Sequence, residues 1–296
     1  MSAPDFRCGH VAIVGRPSVG KSTLLNALIG QKISITSKKP QTTRHRIMGV
    51  LTEPGAQFIF VDTPGFQTQH RSPLHRRMNA AVRASLADVD VVILVVDAGR
   101  LMPADRAVVD LVPARTPAVA AINKVDRLKD KRALLPRLAE LATWHAFAAL
   151  VPISAERASQ LAELKAEVAK QLPVGPPLYA EDTLTDRDER FLAAELVREK
   201  IFRLLGDEVP YSTTVTIESF ELDGALRRIA AVVLVEKAGQ RAIVLGEGGM
   251  TMKAIATQAR QDMEVLFGGK VFLEVFVRVR SGWAESDSSL ARLGYE

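Results

Sequence analysis

Continuous hydrophobic runs alternate with amphipathic segments through the first part of the chain. The runs are typical of strands buried in a sheet with helices on both faces, and they lie at 11–14, 91–96, 118–122 and 149–153. Two further runs flank the turn at 53–55 and predict a hairpin of 47–51 with 57–61. Helical spacing of apolar residues occurs between the runs, at 23–29, 72–88, 104–111, 132–147 and 161–172. This order predicts an α/β fold with an open, mostly parallel, doubly wound sheet.

The second part of the chain has a different order of elements. Proline, glycine and acidic residues without periodicity predict a linker at 173–189. Beyond it the pattern predicts a helix, two strands, two helices and a strand, at 189–205, 212–222, 227–236, 250–258, 259–267 and 270–280. We therefore expect a first domain at 1–172 and a second, α+β domain at 190–296 that includes a C-terminal extension.

Composition narrows the class of protein only a little. The chain has 296 residues and a single cysteine, Cys8, which predicts a reducing compartment and a cytoplasmic protein. We expect neither a signal peptide nor a transmembrane span, so any membrane contact would be peripheral. The net charge of +5 divides into +6 for residues 1–189 and −1 for residues 190–296. A nucleic-acid site in the second domain would therefore be a local patch.

A phosphate-binding loop is predicted directly after the first strand. The strand, the glycine-rich loop and the following helix form the context that such a loop requires. Its backbone N–H groups and the helix N-terminus would hold phosphates, Lys21 would reach the β and γ phosphates, and Ser22 would ligate Mg²⁺. The residues of the predicted loop are Gly15, Arg16, Pro17, Ser18, Val19, Gly20, Lys21 and Ser22.

Two later segments fit the switch regions of a GTPase. The polar, basic stretch 31–46 is predicted to be a mobile loop whose threonine completes the Mg²⁺ shell. Thr42 and Thr43 are both candidates, and Thr43 is favoured. At the end of the strand 57–61, an aspartate would hold Mg²⁺ through a water and a glycine N–H would sense the γ-phosphate. This second motif consists of Asp62, Thr63, Pro64 and Gly65, and it is followed by Phe66, which cannot orient an attacking water.

A third motif indicates that the base is guanine. The carboxylate of Asp126 is suited to accept hydrogen bonds from guanine N1–H and the exocyclic amine. Asn123 would bridge the base and the phosphate loop, and the aliphatic stem of Lys124 would cover the ring. The N–H of Ala155 would meet guanine O6. The predicted guanine-binding residues are Asn123, Lys124, Val125, Asp126, Ser154 and Ala155.

The second domain carries a Gly-x-x-Gly loop before a predicted helix. Together with the order of its elements, this loop indicates a KH RNA-binding domain, in which the loop clamps the backbone of about four single-stranded nucleotides. The predicted RNA-binding residues are Gly246, Glu247, Gly248, Gly249 and Lys253.

The whole chain resembles the Era family of ribosome-assembly GTPases. The stretches that carry the resemblance are 15–22, 41–47, 62–66, 123–126 and 154–155, followed in the second domain by 209–212, 246–249, 281–283 and 293–295. The resemblance implies GTP hydrolysis to GDP with Mg²⁺ and a KH domain of the second type. It also implies binding to the 3′ end of small-subunit (16S) ribosomal RNA and to the immature 30S subunit. Peripheral association with the inner face of the cell membrane is implied as well, and we expect a monomer.

Two positions depart from the family pattern. The loop usually has asparagine where this chain has Ser18, and that asparagine is associated with a K⁺ ion in related GTPases, so K⁺ is a doubtful cofactor here. The Gly-x-x-Gly loop usually has lysine where this chain has Gly248, preceded by Glu247. An acidic residue facing phosphates predicts RNA binding that is weaker and more salt-sensitive than in relatives with the lysine, unless Lys253 or Arg260 compensates.

The resulting hypothesis is a two-domain switch enzyme. GTP would order the loops at 42–43 and 62–65 and reorient the KH domain, and hydrolysis would release them. Lys21 and Thr43 are the predicted catalytic residues, acting with Mg²⁺ and the loop N–H groups through positioning and charge stabilisation. Two alternatives stay open: an RNA-binding assembly factor with GTP as a structural ligand only, and a membrane-surface regulator that uses the basic first domain.

Overall fold

A computed structural model describes residues 6–67, 72–206 and 208–295. Within these ranges the chain forms two compact units. The first comprises 6–34, 43–67 and 75–186, and the second comprises 35–42, 72–74, 187–206 and 208–295. A short piece of the predicted mobile loop, 35–42, therefore belongs to the second unit.

The first unit is built around a six-stranded sheet. Its strands are β1 (Arg7–Val14), β2 (Ile47–Glu53), β3 (Ala56–Asp62), β4 (Val91–Asp97), β5 (Ala118–Asn123) and β6 (Ala149–Pro152). The order across the sheet is β2-β3-β1-β4-β5-β6, and only the β2–β3 hairpin is antiparallel. The predicted doubly wound, mostly parallel fold is confirmed. Parallel pairing brings the carboxyl ends of β1, β3, β4, β5 and β6 to one edge of the sheet.

Five helices accompany this sheet. They are α1 (Lys21–Ile29), α2 (Pro73–Ala87), α3 (Pro103–Val109), α4 (Leu134–Ala142) and α5 (Leu161–Gln171). The central strand β4 is apolar from Val91 to Val96, and every residue of that run is buried. The helix predicted over 132–147 is shorter than expected, because α4 ends at Ala142.

The proline-rich segment after α5 makes specific hydrogen bonds to the strands of the first unit. The N–H of Cys8 donates to Pro173 O at 3.1 Å, and the N–H of Val50 donates to Leu184 O at 2.9 Å. The buried Gln57 side chain accepts from the N–H groups of Leu178 and Tyr179. Residues 173–186 thus lie against the strands in ordered contact, although their sequence shows no periodicity.

The second unit consists of a three-stranded sheet with helices packed on one face. Its elements are α6 (Glu189–Leu204), β7 (Thr213–Asp223), β8 (Leu226–Val235), α7 (Ala238–Leu245), α8 (Met250–Phe267), β9 (Lys270–Val279) and α9 (Asp287–Arg292). β8 pairs antiparallel with β7 and parallel with β9. Its core joins α6 and α8 to the inner face of the sheet, through residues that include Val197, Ile201, Ile229, Val233, Ile255 and Met263.

The predicted positions of the two middle helices were wrong. One continuous helix, α8, spans both segments that were predicted as separate helices, and α7 lies before the Gly-x-x-Gly loop instead. Met252, Ile255, Ala259 and Met263 are all buried, so a single apolar stripe runs through α8 with no break at 258. The α7 helix is short, Ala238–Leu245, and Val244 is its one buried residue.

The C-terminal extension packs into the second unit. Trp283 is fully buried and donates from Nε1 to Ser212 O at 3.2 Å. The rings of Trp283 and Tyr295 stack at 6.0 Å, and the Tyr295 hydroxyl lies 2.8 Å from Thr214 Oγ1. The extension therefore contributes an aromatic cluster to the core of this unit.

Candidate nucleotide and RNA sites

The predicted phosphate loop connects the carboxyl end of β1 to α1, which begins at Lys21. Gly20 has φ 102°, a left-handed conformation that glycine adopts without strain. A Cβ on Gly15 would lie 2.5 Å from Val95 O, so the backbone passes too close to β4 for any side chain. The sequence pattern is thus explained by the backbone, which needs glycine at both positions.

Lys21 points back into this loop. Its side chain is buried, and Nζ donates to Gly15 O and Arg16 O, each at 3.0 Å. Burial lowers the pKa of Lys21 to about 8, and the nearby carboxylate of Asp62 opposes that shift. An ammonium group with so little water around it gains strongly from an anion placed in the same loop.

Three oxygen-bearing side chains meet beside the loop. Ser22 Oγ lies 2.6 Å from Thr43 Oγ1 and 2.6 Å from Asp62 Oδ2. Among the described residues, Asp62 Oδ1 is buried without a hydrogen-bond partner, and burial raises the pKa of this carboxyl group. A hard cation such as Mg²⁺ takes oxygen ligands of this kind and would supply the partner that Asp62 lacks. The three predicted metal residues therefore fit the ion.

The structure separates the two threonine candidates. Thr43 belongs to the first unit and touches Ser22, whereas the Thr42 hydroxyl bonds Ser37 Oγ at 2.7 Å and Lys39 O at 2.8 Å in the second unit. This geometry supports the preference for Thr43.

Sequence reasoning missed Ser34. Its hydroxyl donates to Asp62 Oδ2 at 2.9 Å, and it is almost fully buried. The side chain of Asn26 in α1 holds it in place by accepting from the N–H groups of Ile33 and Ser34 and donating to Ser34 O. A serine within a polar loop carries no sequence signal that distinguishes it from its neighbours.

The residues after Asp62 pass close to the phosphate loop. A Cβ on Gly65 would lie 2.7 Å from the backbone of Pro17, so only glycine permits this approach. Thr63 donates from its hydroxyl to Ile13 O at 2.9 Å, and Pro64 is buried. Phe66 packs into the core with Val82 and Leu86.

The predicted guanine-binding residues come from two segments, one at the end of β5 and one after β6. Asn123, at the end of β5, donates from Nδ2 to Val19 O at 2.9 Å. Its Oδ1 accepts from the N–H groups of Lys124 and Ala155. Asn123 therefore ties the phosphate loop to the loop after β6. The Ala155 N–H expected at guanine O6 is engaged by Asn123 in this structure.

Asp126 lies in a single 3-10 turn, Val125–Arg127, directly after Lys124. Ser154 Oγ donates to Asp126 Oδ1 at 2.6 Å. This hydrogen bond holds the pKa of Asp126 below its ordinary value, so the carboxylate is charged and ready to accept hydrogen bonds at neutral pH. Ser154 thus lies next to the specificity residue that the sequence predicts.

The Gly-x-x-Gly loop lies between α7 and α8. Three glycines have positive φ: 72° at Gly246, 56° at Gly248 and 78° at Gly249. Glu247, Gly248 and Lys253 are exposed. The predicted RNA-binding residues thus present an open loop at the start of α8, with one acidic and one basic side chain close by in sequence.

Within the second unit, the loop piece 35–42 is held by α6. Glu199 accepts from the N–H of Thr36 at 2.9 Å, and Arg203 donates from Nε to Thr36 O at 3.0 Å. At the other end, Arg198 donates to Thr42 O at 2.6 Å. The helix therefore binds this piece through its backbone at both ends.

Glu199 and the charged residues next to it on α6 are buried. Glu199 is fully buried, and Lys200 links it to Asp262 of α8. Arg198 forms a two-pronged ion pair with Glu195, also buried. Charged groups withdrawn from water in this way are stable only while they are paired.

Known proteins resemble this chain over its full length. Residues 10–124 match the family model described as 50S ribosome-binding GTPase, and residues 208–284 match the KH domain model. "GTPase Era" of Nitrosomonas eutropha is 54% identical over 296 residues, with both chains covered completely. "GTPase Era" of Bordetella avium is 55% identical over the same length and coverage.

Two solved structures are also similar. One is a crystal structure of an Aquifex aeolicus Era variant bound to GDP·AlF4⁻, and the other is Era in complex with MgGDPNP and nucleotides 1506–1542 of 16S ribosomal RNA. Each is 37% identical and has a TM-score of 0.94, with 98% of this chain and 99% of the other chain covered. In the described part of the chain, none of the helices combines the length and hydrophobicity needed to cross a membrane.

Proposed function

The chain belongs to the Era family of GTPases, and from this premise we propose that it is a GTP-controlled RNA-binding switch. In this proposal it binds the 3′ end of small-subunit ribosomal RNA and assists assembly of the small subunit. The observation that carries the proposal is the likeness of 98% of the chain to Era with MgGDPNP and 16S ribosomal RNA bound. The domain boundaries that go with it are 1–172 for the GTPase domain, 173–189 for the linker and 190–296 for the KH domain.

The proposed nucleotide chemistry follows from the side chains around the phosphate loop. Lys21 and the loop N–H groups bind the phosphates and stabilise charge that develops during hydrolysis. Ser22, Thr43 and Asp62 hold Mg²⁺, which supplies further positive charge at the transferred phosphate. Asn123, Lys124 and Asp126 select guanine. Because Phe66 lies in the core, the attacking water is positioned by other groups.

K⁺ is not part of this proposal. Ser18 has φ 63°, a conformation in which asparagine is far commoner than serine. The serine side chain is also shorter than that of asparagine. A hydrolysis rate that does not change when K⁺ replaces Na⁺ would agree with this assignment.

The loop 31–46 offers a route from the nucleotide to the RNA. In the first unit, Ser34 bonds Asp62 and Thr43 bonds Ser22, and the intervening residues 35–42 are bound by α6 in the second unit. Because these residues are consecutive, a movement of Thr43 on GTP hydrolysis must move or release Thr42. We propose that nucleotide state changes RNA binding through this loop.

The test measures affinity for a labelled RNA that carries the 3′ end of 16S ribosomal RNA. We expect different dissociation constants with a non-hydrolysable GTP analogue, with GDP and without nucleotide. Equal values would favour the alternative in which GTP is only a structural ligand. Lys21→Ala should remove the nucleotide dependence and hydrolysis, and full hydrolysis by this variant would refute the role assigned to Lys21.

The proposal places the protein in the cytoplasm as a monomer that engages the 30S precursor. Peripheral membrane association remains a separate prediction from the family resemblance. Co-sedimentation with vesicles of anionic phospholipid tests it, and protein that stays in the supernatant at low salt would contradict it.

A further inference from the structure

An ion pair at the end of β4 lies next to the phosphate loop. Asp97 is the last residue of this strand, and its Oδ2 accepts from Lys124 Nζ at 2.8 Å. Its Oδ1 accepts from the N–H of Gly99 at 2.8 Å, which fixes the orientation of the carboxylate. Both side chains of the pair are about four-fifths buried. Asp97 directly follows the apolar run 91–96 and belongs to none of the predicted motifs.

The same ammonium group also reaches the phosphate loop. Lys124 Nζ donates to Ser18 O at 2.6 Å, so the lysine joins Asp97 on one side to the loop backbone on the other. Lys124 has φ 68°, a left-handed backbone conformation that is unusual for a residue other than glycine. A long, flexible lysine side chain needs a fixed partner to stay in one position, and the oriented carboxylate of Asp97 supplies it.

The loop carbonyl that receives this bond belongs to a strained residue. Ser18 has φ 63°, and left-handed conformations of non-glycine residues other than asparagine and aspartate are uncommon. Such a conformation persists only where surrounding contacts hold it. Lys124, oriented by Asp97, is one contact that holds the Ser18 peptide, and the bond from Asn123 to Val19 O holds the next one.

We propose that Asp97 is a positioning residue for nucleotide binding: it orients Lys124 so that one side chain covers the guanine ring and fixes the phosphate loop through Ser18 O. Asp97 acts through Lys124 and does not touch the nucleotide. The inference rests on the proposed nucleotide site and adds to it the group that keeps the site in its binding conformation. The charge of Asp97 is maintained by Lys124 and the Gly99 N–H, which hold its pKa below the ordinary value against the effect of burial.

The experiment compares Asp97→Asn, Lys124→Met and the double variant. We expect Asp97→Asn to weaken GDP binding about tenfold and to raise KM for GTP by a similar factor, while kcat at saturating GTP stays within about twofold. Because Asp97 works through Lys124, the double variant should bind GDP no more weakly than Lys124→Met alone. Affinities are measured by calorimetry on the full chain.

A matched control comes from the same unit. Asp110 directly follows α3 and pairs with Arg106 of that helix, and both side chains are exposed, so Asp110→Asn removes an ion pair without touching the loops of the nucleotide site. It should leave GDP affinity unchanged. If Asp97→Asn does not fold, Asp97→Ser takes its place, since its hydroxyl still offers an acceptor to the Gly99 N–H.

The outcomes separate the inference from the function on which it rests. Wild-type protein that fails to bind GDP would overturn the proposed nucleotide site itself. If wild type binds GDP and Asp97→Asn binds equally well, the role of Asp97 is overturned alone. The role of Asp97 would likewise be overturned if the double variant lost GDP affinity by the product of the factors for Asp97→Asn and Lys124→Met. The two residues would then act independently.

Discussion

At the scale of single residues, the structure distinguishes side chains that the sequence presents as equivalent. Thr42 and Thr43 are adjacent, yet their hydroxyl groups bond to different units of the molecule. Ser34, Ser37 and Thr36 are likewise close in sequence, and only Ser34 reaches Asp62. Which hydroxyl meets the proposed metal site is decided by the path of the loop, and the threonine pair offers a direct test.

Thr43→Ala should lower the rate of GTP hydrolysis by at least about tenfold and raise the Mg²⁺ concentration needed for half-maximal activity, because one oxygen ligand is lost. Thr42→Ala is the matched control and should leave the Mg²⁺ requirement unchanged. Titrating Mg²⁺ for both variants checks this. The assignment of Thr43 would be wrong if Thr42→Ala showed the larger shift.

The hydrogen bond from Ser154 to Asp126 makes a second prediction at this scale. Ser154→Ala should raise the pKa of Asp126 toward its ordinary value near 4 and weaken GDP binding several-fold at pH 7, since the carboxylate loses the group that orients it. A carboxyl group with a lowered pKa stays charged as the pH falls through the ordinary pKa and is protonated at a lower pH. The GDP affinity of the variant should therefore begin to fall at a higher pH than that of wild type. Calorimetry between about pH 4 and pH 7 measures the difference, and coincident profiles would contradict it.

At the scale of elements, close backbone approach decides where glycine is needed. The loop after β3 passes the phosphate loop at Gly65, where a Cβ would lie 2.7 Å from Pro17 backbone atoms. The Gly-x-x-Gly loop differs, because a Cβ on Gly248 would meet no atom within 4 Å and only its φ of 56° favours glycine. The first position is limited by contact and the second by conformation, so substitutions should behave differently.

Gly65→Ala should weaken binding of a GTP analogue at least about tenfold, because the added methyl group forces the loop away from Pro17. Gly175→Ala is the control, since Gly175 has open space around its Cα and an ordinary φ. Fluorescent-nucleotide titration compares the two variants. Equal affinities for the two would show that the approach of Gly65 to the phosphate loop does not matter for binding.

Gly248→Lys should strengthen RNA binding, most clearly at low salt, because it adds a cation to a loop that now carries Glu247. The left-handed conformation costs a non-glycine residue about 1 kcal/mol, so Gly248→Ala is needed to measure that cost separately. The charge effect is the difference between the two variants in salt titrations with labelled RNA. An affinity of Gly248→Lys equal to wild type at all salt concentrations would contradict the prediction.

At the scale of the whole molecule, one loop contributes to both units. Its ends bond to the proposed metal residues, and its middle is bound by buried charges on α6. Replacing Glu199 would remove one of the carboxylates that pair with the buried ammonium group of Lys200, and this would destabilise the unit. Arg203 is the better target, because its side chain is partly exposed and it makes two bonds to Thr36.

Arg203→Ala should reduce the difference between RNA affinities in the GTP-analogue and GDP states several-fold, since the loop is held less firmly to α6. GDP affinity itself should change little. Arg292→Ala, an exposed arginine on α9, is the control. A ratio of RNA affinities unchanged by Arg203→Ala would mean that the loop does not carry the signal.

The sequence by itself determined the fold class, the two classes of domain and the three guanine-nucleotide motifs. Those features depend on local patterns: apolar runs that form buried strands, glycines where the backbone turns, and polar residues at strand ends. The tertiary structure alone decided the contacts of Ser34, the pairing of Asp97 with Lys124, the packing of 173–186 against the strands and the division of the loop 31–46 between two units. Each of these joins residues that no local pattern connects. The short helix α7 shows the same limit, because eight residues with one buried side chain carry little periodic signal.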